Sequence, residues 1–331
     1  MTCVVFINDA AYRGYVDTVS DLLDIRKHVR VVHFTPDEAA QNFELLAEAN
    51  LVVTVHSTLA QVHAICEKLK GITPTLTLQD GVIEYRSSKH RTQGIFRYRP
   101  LATDYIAAFG PRSKSLLMAS GTQENQIFIT GCPRFDLYPS ERQNIPKDGY
   151  ILVTMSNRPA YGADNLVAFY TLLNDVLTYL ETNNIKFKLR PSRGISPGGV
   201  EHINKVQSGM EPAAIERFRN IPRTPTVPII EDLRGAFAVL TTPSTPSLEA
   251  IAMGRKLCHM IFDPETIYMQ SPWVIHGQQD IQRVISELYN PPRFKMEFQD
   301  MVLNENLLND GKSTERVCNL IEKLANATLY S

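Results

Sequence analysis

With 331 residues, 44% of them hydrophobic and 21% charged, the chain exceeds one ordinary core and suits two domains of roughly 150 residues each. Its 34 Lys and Arg balance 35 Asp and Glu to a formal net charge of −1, which excludes wholesale binding of nucleic acid and confines any electrostatic partner to a local patch. Five cysteines without CxxC spacing, and no run near the ~18 apolar residues of a membrane helix, exclude a disulfide framework, a cysteine-bound zinc and a spanning segment.

The N-terminus enters "TCVVFIND" at once, an apolar strand pattern without the basic and small-residue features of a secretory leader. A cytoplasmic protein with reduced thiols is therefore expected. Short apolar runs then recur as predicted strands: "CVVFI" (3–7), "VRVVHF" (29–34), "NLVVTV" (50–55), "TPTLTL" (73–78), "YIAAFG" (105–110) and "QIFITG" (126–131). Helical patterns lie between them at 15–25, 36–48, 57–70 and 111–119, the last opening on a Gly-Pro turn. The polar, proline-bearing "DLYPSERQNIPKDGY" (136–150) reads as a linker. The alternation then restarts with "YILVTM" (150–155), a helix over 165–182, and strands at "IKFKL" (185–189) and "AFAVLTT" (236–242). A helix at "PSLEAIAMG" (246–254), a strand at "KLCHMIF" (256–262) and helices at 280–289 and 314–327 complete the series.

Continuous apolar strands separated by amphipathic helices predict an α/β protein of two Rossmann-like domains, each a parallel sheet covered on both faces, with a cleft between them. The expected boundaries are 1–140, 150–310, and a C-terminal helix within 311–331 that crosses back to the first domain. In such sheets ligands bind beyond the carboxyl ends of the strands, so candidate residues are sought there.

Asp80 follows the strand at 73–78, with Gly81 permitting the turn, and is placed to act as a general base or nucleophile; a plain Asp-Gly turn is the alternative. Behind it stand Arg86, Lys89, His90, Arg91, Arg97 and Arg99, either an anionic-acceptor site, of which Arg86, Lys89 and Arg91 are the candidates, or a solvated basic loop. In "TTPSTPSLEA" (241–250) a strand ends at Thr242 and a helix begins near Pro246. Ser244, Thr245 and Ser247 line that turn, and Glu249 lies one turn in, within reach of a ribose. Hydroxyls and free N–H groups at a helix N-terminus suit a phosphate, although the same residues serve an ordinary N-cap. "KLRPSRG" (188–194) offers Arg190, Ser192 and Arg193 to a phosphate or sugar carboxylate, and "MSNRPAYG" (155–162) offers Ser156, Asn157 and Arg158 after the first strand of the second half. Asn8 and Asp9 take the matching place in the first half, where a polar loop is the simpler reading.

Other signals are discarded. "NDGKST" (309–314) has Asn306 where a P-loop needs glycine, no GxGxxG follows the first strand, and the eight histidines show no HxxxH or HExxH spacing. No metal and no cofactor are expected.

Together, "TLQDG", "AAFGPRSKSLLMASGTQENQIFITGCPRFDLY" (107–138), "KLRPS", "LTTPSTPSLEAIAMGRKL" (240–257) and "LLNDGKSTERV" (307–317) resemble the bacterial GT-B glycosyltransferases of surface polysaccharide assembly. That group includes transferases using CMP-sialic acid or CMP-Kdo and the CDP-glycerol polyol-phosphate transferases. The resemblance implies a GT-B fold and metal-independent transfer of Kdo or sialic acid from a CMP-activated donor to a glycan or lipid-linked glycan acceptor. Polyol-phosphate transfer and UDP-sugar 2-epimerisation are the alternatives. It also implies peripheral contact with the inner membrane or an assembly complex. Asp80 takes the place of the group's acidic residue before Gly, and Ser244 with Thr245 that of its phosphate-binding Ser/Thr pair. Where the group carries His-Pro, this chain has Arg190-Pro191, so the implied role is neutralisation of a departing phosphate by charge, not protonation. A non-catalytic assembly partner is the third reading, with Arg190 in its favour.

Overall fold

Apolar runs too short for helices and lacking polar alternation can be satisfied only as strands buried on both faces. The computed structural model describes residues 1–8, 13–55, 57, 59–83, 98, 100–138, 145–146, 148–155, 163–190, 212–219, 228–261 and 269–327. Two units emerge, one of Met1–Pro139 with Asn304–Ser331, the other of Ser140–Leu303. The chain thus rejoins the first unit at Asn304, ahead of residue 311.

In unit 1, β1 (Thr2–Ile7), β2 (Val29–Phe34), β3 (Leu51–Thr54), β4 (Thr75–Leu78), β5 (Tyr105–Ala108) and β6 (Ile127–Ile129) form a six-stranded sheet in the order β2-β1-β3-β4-β5-β6. Every pairing is parallel, and Ile7 stands level with Phe34 on one side and Thr54 on the other. The helices are α1 (Arg13–Ile25), α2 (Pro36–Gln41), α3 (Phe43–Ala47), α4 (Ala60–Leu69) and α5 (Pro111–Ala119). The single helix expected over 36–48 is two, α2 and α3, meeting at Asn42, whose φ of −113° and ψ of 40° are not helical. Alternate residues of β1 serve opposite cores. Val4 and Phe6 pack with Val16, Val19 and Leu23 of α1, while Val5 and Ile7 pack with Leu46, Val62 and Cys66 of α3 and α4.

Unit 2 repeats the plan with β7 (Tyr150–Thr154), β8 (Phe187–Arg190), β9 (Ala236–Thr241), β10 (Lys256–Met260) and β11 (Trp273–Ile275), a parallel sheet in the order β11-β10-β9-β7-β8. Its helices are α6 (Ala163–Thr182), α7 (Pro212–Arg219), α8 (Ile229–Gly235), α9 (Thr245–Ala252) and α10 (Gln278–Tyr289), followed by α11 (Arg293–Asn306) at the boundary. Phe169, Leu173, Val176, Leu177 and Leu180 of α6 recur at helical spacing and meet Ile151, Val153, Leu240 and Cys258 of the sheet. The strand β11, "WVI", is absent from the expected strands, yet Trp273 is fully buried. Arg255 is buried as well. Its Nε donates to the Leu233 carbonyl at 2.8 Å, satisfying the C-terminal end of α8.

The last helix, α12 (Ser313–Ala327), belongs to unit 1. Val317, Ile321 and Leu324 join the α1 side of its core, so residues more than 300 positions apart share one cluster. Asp136 fixes the entry to α12, accepting from the Ser313 N–H at 2.9 Å and from the Thr314 N–H and hydroxyl at 2.7 Å each. The Walker-like "NDGKST" is therefore a helix start whose free N–H groups are taken by a carboxylate. Leu308 N–H donates to Phe109 O at 2.8 Å, and Arg316 Nε to Thr130 O at 2.8 Å, stitching the returning segment over the ends of β5 and β6.

This close approach rests on Gly131. Its φ is +77°, and a Cβ built there would lie 2.4 Å from Ser313 Oγ and 2.6 Å from Leu308 O. Gly71 has nearly the same φ, +74°, but nothing within 4 Å of such a Cβ. Gly71→Ala is expected to cost about 1 kcal/mol of conformational strain, and Gly131→Ala about 2–4 kcal/mol because the returning segment must also move. Urea denaturation of the two variants measures the difference; equal losses would mean that the contact with the return segment contributes nothing.

Candidate functional site

Strand order locates the candidate sites before any side chain does. From β1 the chain goes out to β2, then returns to place β3 on the other side of β1. From β7 it goes out to β8, then returns to place β9 on the other side of β7. Loops leaving the carboxyl ends of those strands diverge, and the gap between them is where ligands bind in open α/β sheets. At the β1/β3 point stand Asn8 and Ser57; at the β7/β9 point stands the turn from Thr242 into α9.

In unit 2, Ser244 is the N-cap of α9, with extended backbone at φ −166° and ψ 171°. The helix begins at Thr245, one residue ahead of expectation, with Pro246 inside its first turn. Ser244 Oγ donates to Thr242 O at 2.9 Å, and Thr241 Oγ1 donates to the same carbonyl at 3.0 Å. The Ser244 N–H faces Ser247 Oγ at 3.4 Å, and Ser247 Oγ lies 2.8 Å from His259 Nε2. His259 stands in register with Thr241 on the neighbouring strand β10. Burial of its ring pushes its pKa down to about 3, so the imidazole is neutral at physiological pH. The Ser247 N–H turns back to Ser244 O at 2.9 Å, and Pro246 has none. Thr245, half-buried at the first helical position, therefore carries the N–H that the helix offers outward. Glu249 is buried one turn further in.

Arg190 is the last residue of β8, two strands from β9 across β7. Its Nη1 donates to Asp232 Oδ2 at 2.5 Å, and Lys188 Nζ binds the other oxygen of the same carboxylate. Asp232 is 1% exposed, and the two cations offset the cost of burying its carboxylate. The shared carboxylate in turn raises the pKa of Lys188 above the ordinary range. At least part of the Arg190 guanidinium is thus committed to a structural pair within unit 2.

In unit 1, Asp80 follows β4 and is half-buried. Tyr98 holds it: the phenol donates to Asp80 Oδ1 at 2.8 Å and accepts from the Asp80 N–H at 3.2 Å. Gln79 anchors the same turn, its Nε2 donating to Gly81 O at 2.7 Å and its Oε1 accepting from the Phe109 N–H at 2.9 Å. A carboxylate fixed at both backbone and side chain is the kind of group that can receive a proton at a set position.

Ser244, Thr245, Ser247 and Glu249 are thus brought together on α9, whereas Arg190 stands on a different strand and Asp80 in the other unit. Ser156, Asn157, Arg158, Ser192, Arg193, Asp9 and the basic run with Arg86, Lys89 and Arg91 lie outside the described residues. Sequence reading missed His259, hidden in the apolar run "KLCHMIF", and Asp232, whose role depends on a fold contact with β8. Among the described residues no cluster of His, Cys, Asp and Glu is placed to hold a metal, and no helix is long and apolar enough to cross a membrane.

No family model and no curated protein matches the chain. Solved structures do. The S. aureus MnaA–UDP co-structure is 13% identical with a TM-score of 0.66, over 98% of this chain and 97% of that one. The UDP-GlcNAc 2-epimerase of Methanocaldococcus jannaschii, in complex with UDP-GlcNAc and UDP, is 13% identical with a TM-score of 0.67, over 98% of this chain and 100% of that one. A variant of the wall teichoic acid polymerase TagF soaked with CDPG is 14% identical with a TM-score of 0.61, over 99% and 90%. At such identities the likeness is one of fold: the chain has two α/β units of the GT-B kind.

The neutral His259 has a consequence for acid stability. In the unfolded chain its imidazole titrates near the ordinary value of about 6.5, and in the folded chain only near pH 3. Between these the unfolded state binds the extra proton. The stability His259 contributes is therefore complete above about pH 6.5 and is lost as pH falls, at up to about 1.4 kcal/mol per unit. His259→Gln keeps a hydrogen-bonding partner for Ser247 without a titrating ring. Urea midpoints measured between about pH 6 and 4 are expected to fall less steeply in this variant than in the wild type; parallel slopes would mean that the folded protein accepts the proton.

Proposed function

We propose that the chain is a metal-independent enzyme that transfers a nucleotide-activated sugar or polyol phosphate to a hydroxyl-bearing glycan acceptor. The observation that carries this reading is the Thr242–Ser247 turn, a helix N-terminus with an outward N–H and hydroxyls at the β7/β9 switch point of a GT-B unit. In this reading unit 2 takes the nucleotide. Its phosphate meets the N–H and hydroxyl of Thr245 and the dipole of α9, and the Ser244 hydroxyl joins them by turning from the Thr242 carbonyl to the phosphate. Ser156, Asn157, Arg158, Ser192 and Glu249 are the remaining nucleotide contacts. Arg190 neutralises by its positive charge the charge that grows on the departing phosphate. Asp80 takes the acceptor proton as the acceptor oxygen forms its new bond and the bond to the nucleotide phosphate breaks. Arg86, Lys89 and Arg91 hold an anionic, lipid-linked acceptor at the cytoplasmic face of a membrane.

The donor is best sought among uridine and cytidine nucleotides. The sequence resemblance points to CMP-linked Kdo or sialic acid, whereas the similar solved structures were determined with UDP, UDP-GlcNAc and CDPG. The likeness to UDP-GlcNAc 2-epimerases supports a second reading, 2-epimerisation of a UDP-sugar, which needs no acceptor.

Thermal stabilisation by CMP, CDP, UDP and GDP tests the proposal in the wild type and in the Ser244→Ala/Thr245→Ala double variant. A nucleotide at a hundred times its Kd adds about 2.7 kcal/mol. Stabilisation by a uridine or cytidine nucleotide, reduced at least about tenfold in affinity in the variant, is expected. No response to any nucleotide overturns the reading. Where UDP-GlcNAc is consumed without an acceptor, the epimerase reading replaces transfer.

A further inference from the structure

Asn8 is a buried carboxamide with nothing to bond among the described residues. It directly follows β1, its backbone N–H donating to Phe34 O at 2.9 Å, and it is 6% exposed. Among the described residues neither its Oδ1 nor its Nδ2 has a hydrogen-bond partner. Leaving both unmet costs the fold the full desolvation of a donor and an acceptor, which an apolar side chain of similar size would avoid.

The surrounding edge shows that the fold can satisfy such groups. Thr54, level with Ile7 on β3, donates to the Ile7 carbonyl at 3.1 Å. Gln79, at the end of β4 and 2% exposed, uses both ends of its amide, on Gly81 O and the Phe109 N–H. Asn8 is the amide left open, and it stands at the β1/β3 switch point, where ligands approach an open sheet. Asp80 leaves β4 two strands away on the same edge, about 10 Å across at ordinary strand spacing.

We propose that Asn8 is a ligand-binding residue of unit 1, and that its ligand presents there a neutral sugar group that both donates and accepts: a hydroxyl, or the amide of an N-acetylated sugar. A phosphate or carboxylate would meet Nδ2 and leave Oδ1 unpaired, and an ammonium would do the reverse. A hydroxyl or amide answers both atoms at once. The inference rests on the nucleotide-sugar reading for the identity of the ligand, and it names the part of that ligand or its acceptor that unit 1 recognises.

The test is Asn8→Leu, with Asn8→Ala as the substitute should leucine not fold. Urea denaturation is expected to show Asn8→Leu more stable than the wild type, since a buried orphan amide has gone. Binding of UDP and CDP alone is expected to be unchanged, while the added affinity of UDP-GlcNAc over UDP, or of CDP-glycerol over CDP, falls about tenfold. Asn8→Leu that is less stable, or that binds every ligand like the wild type, overturns the inference. If the wild type binds no nucleotide, the transfer reading fails separately. Asn8 is then probed with free N-acetylglucosamine and glycerol through its side-chain amide NMR signals, identified by their loss in Asn8→Leu. A shift of those signals keeps the inference, and their constancy ends it.

Discussion

A parallel sheet covered on both faces leaves its polar groups only one outlet, the strand ends. Every strand of both units is hydrogen-bonded in parallel, and the residues of β1, β3, β7, β9 and β10 are almost all buried. Side chains that must meet water, ligand or charge therefore collect at the edges, and the crossover pattern decides which edge opens a gap. From that constraint follow the positions of Asn8, Asp80 and the Ser244 turn alike.

Within that frame, most buried polar groups are spent on holding the chain together. Asp136 caps α12, Arg255 closes the end of α8, Gln299 supplies Oε1 to the Leu257 N–H at 2.8 Å and Nε2 to Arg255 O at 3.0 Å, and Asp232 gathers Lys188 and Arg190. These contacts join elements distant in sequence and fix the segments that follow each strand. Among the described residues the carboxamide of Asn8 stands apart, because the fold does not use it up. Natural chains keep such a group unmet where function requires it, and stability bears the cost.

The fold was largely legible in the sequence because two periodicities carried it: short continuous apolar runs and helical stripes such as 169, 173, 176, 177 and 180. What lay beyond reach was short or non-local. "WVI" becomes a strand only by pairing with β10, and the break at Asn42 depends on local backbone angles. The return of the chain at Asn304 depends on contacts with Phe109, Thr130 and Asp136, roughly 200 residues earlier. Ser244, Thr245 and Ser247 could be read because helix-start chemistry is local. His259, Asp232 and Tyr98 could not, since a histidine in an apolar run, an acid in a short helix and a tyrosine among arginines acquire roles only through neighbours that the sheet brings to them. The sequence did contain Asn8, but only burial distinguishes an unmet amide from an ordinary polar loop residue.

The central claim is that unit 2 receives a nucleotide on the N-terminus of α9. Hydrogen exchange with and without saturating UDP or CDP, followed peptide by peptide, tests it most directly. The account predicts slowed exchange in peptides covering 242–250, with unit 1 unchanged by the nucleotide alone. Protection that maps elsewhere while 242–250 exchanges as before would contradict it.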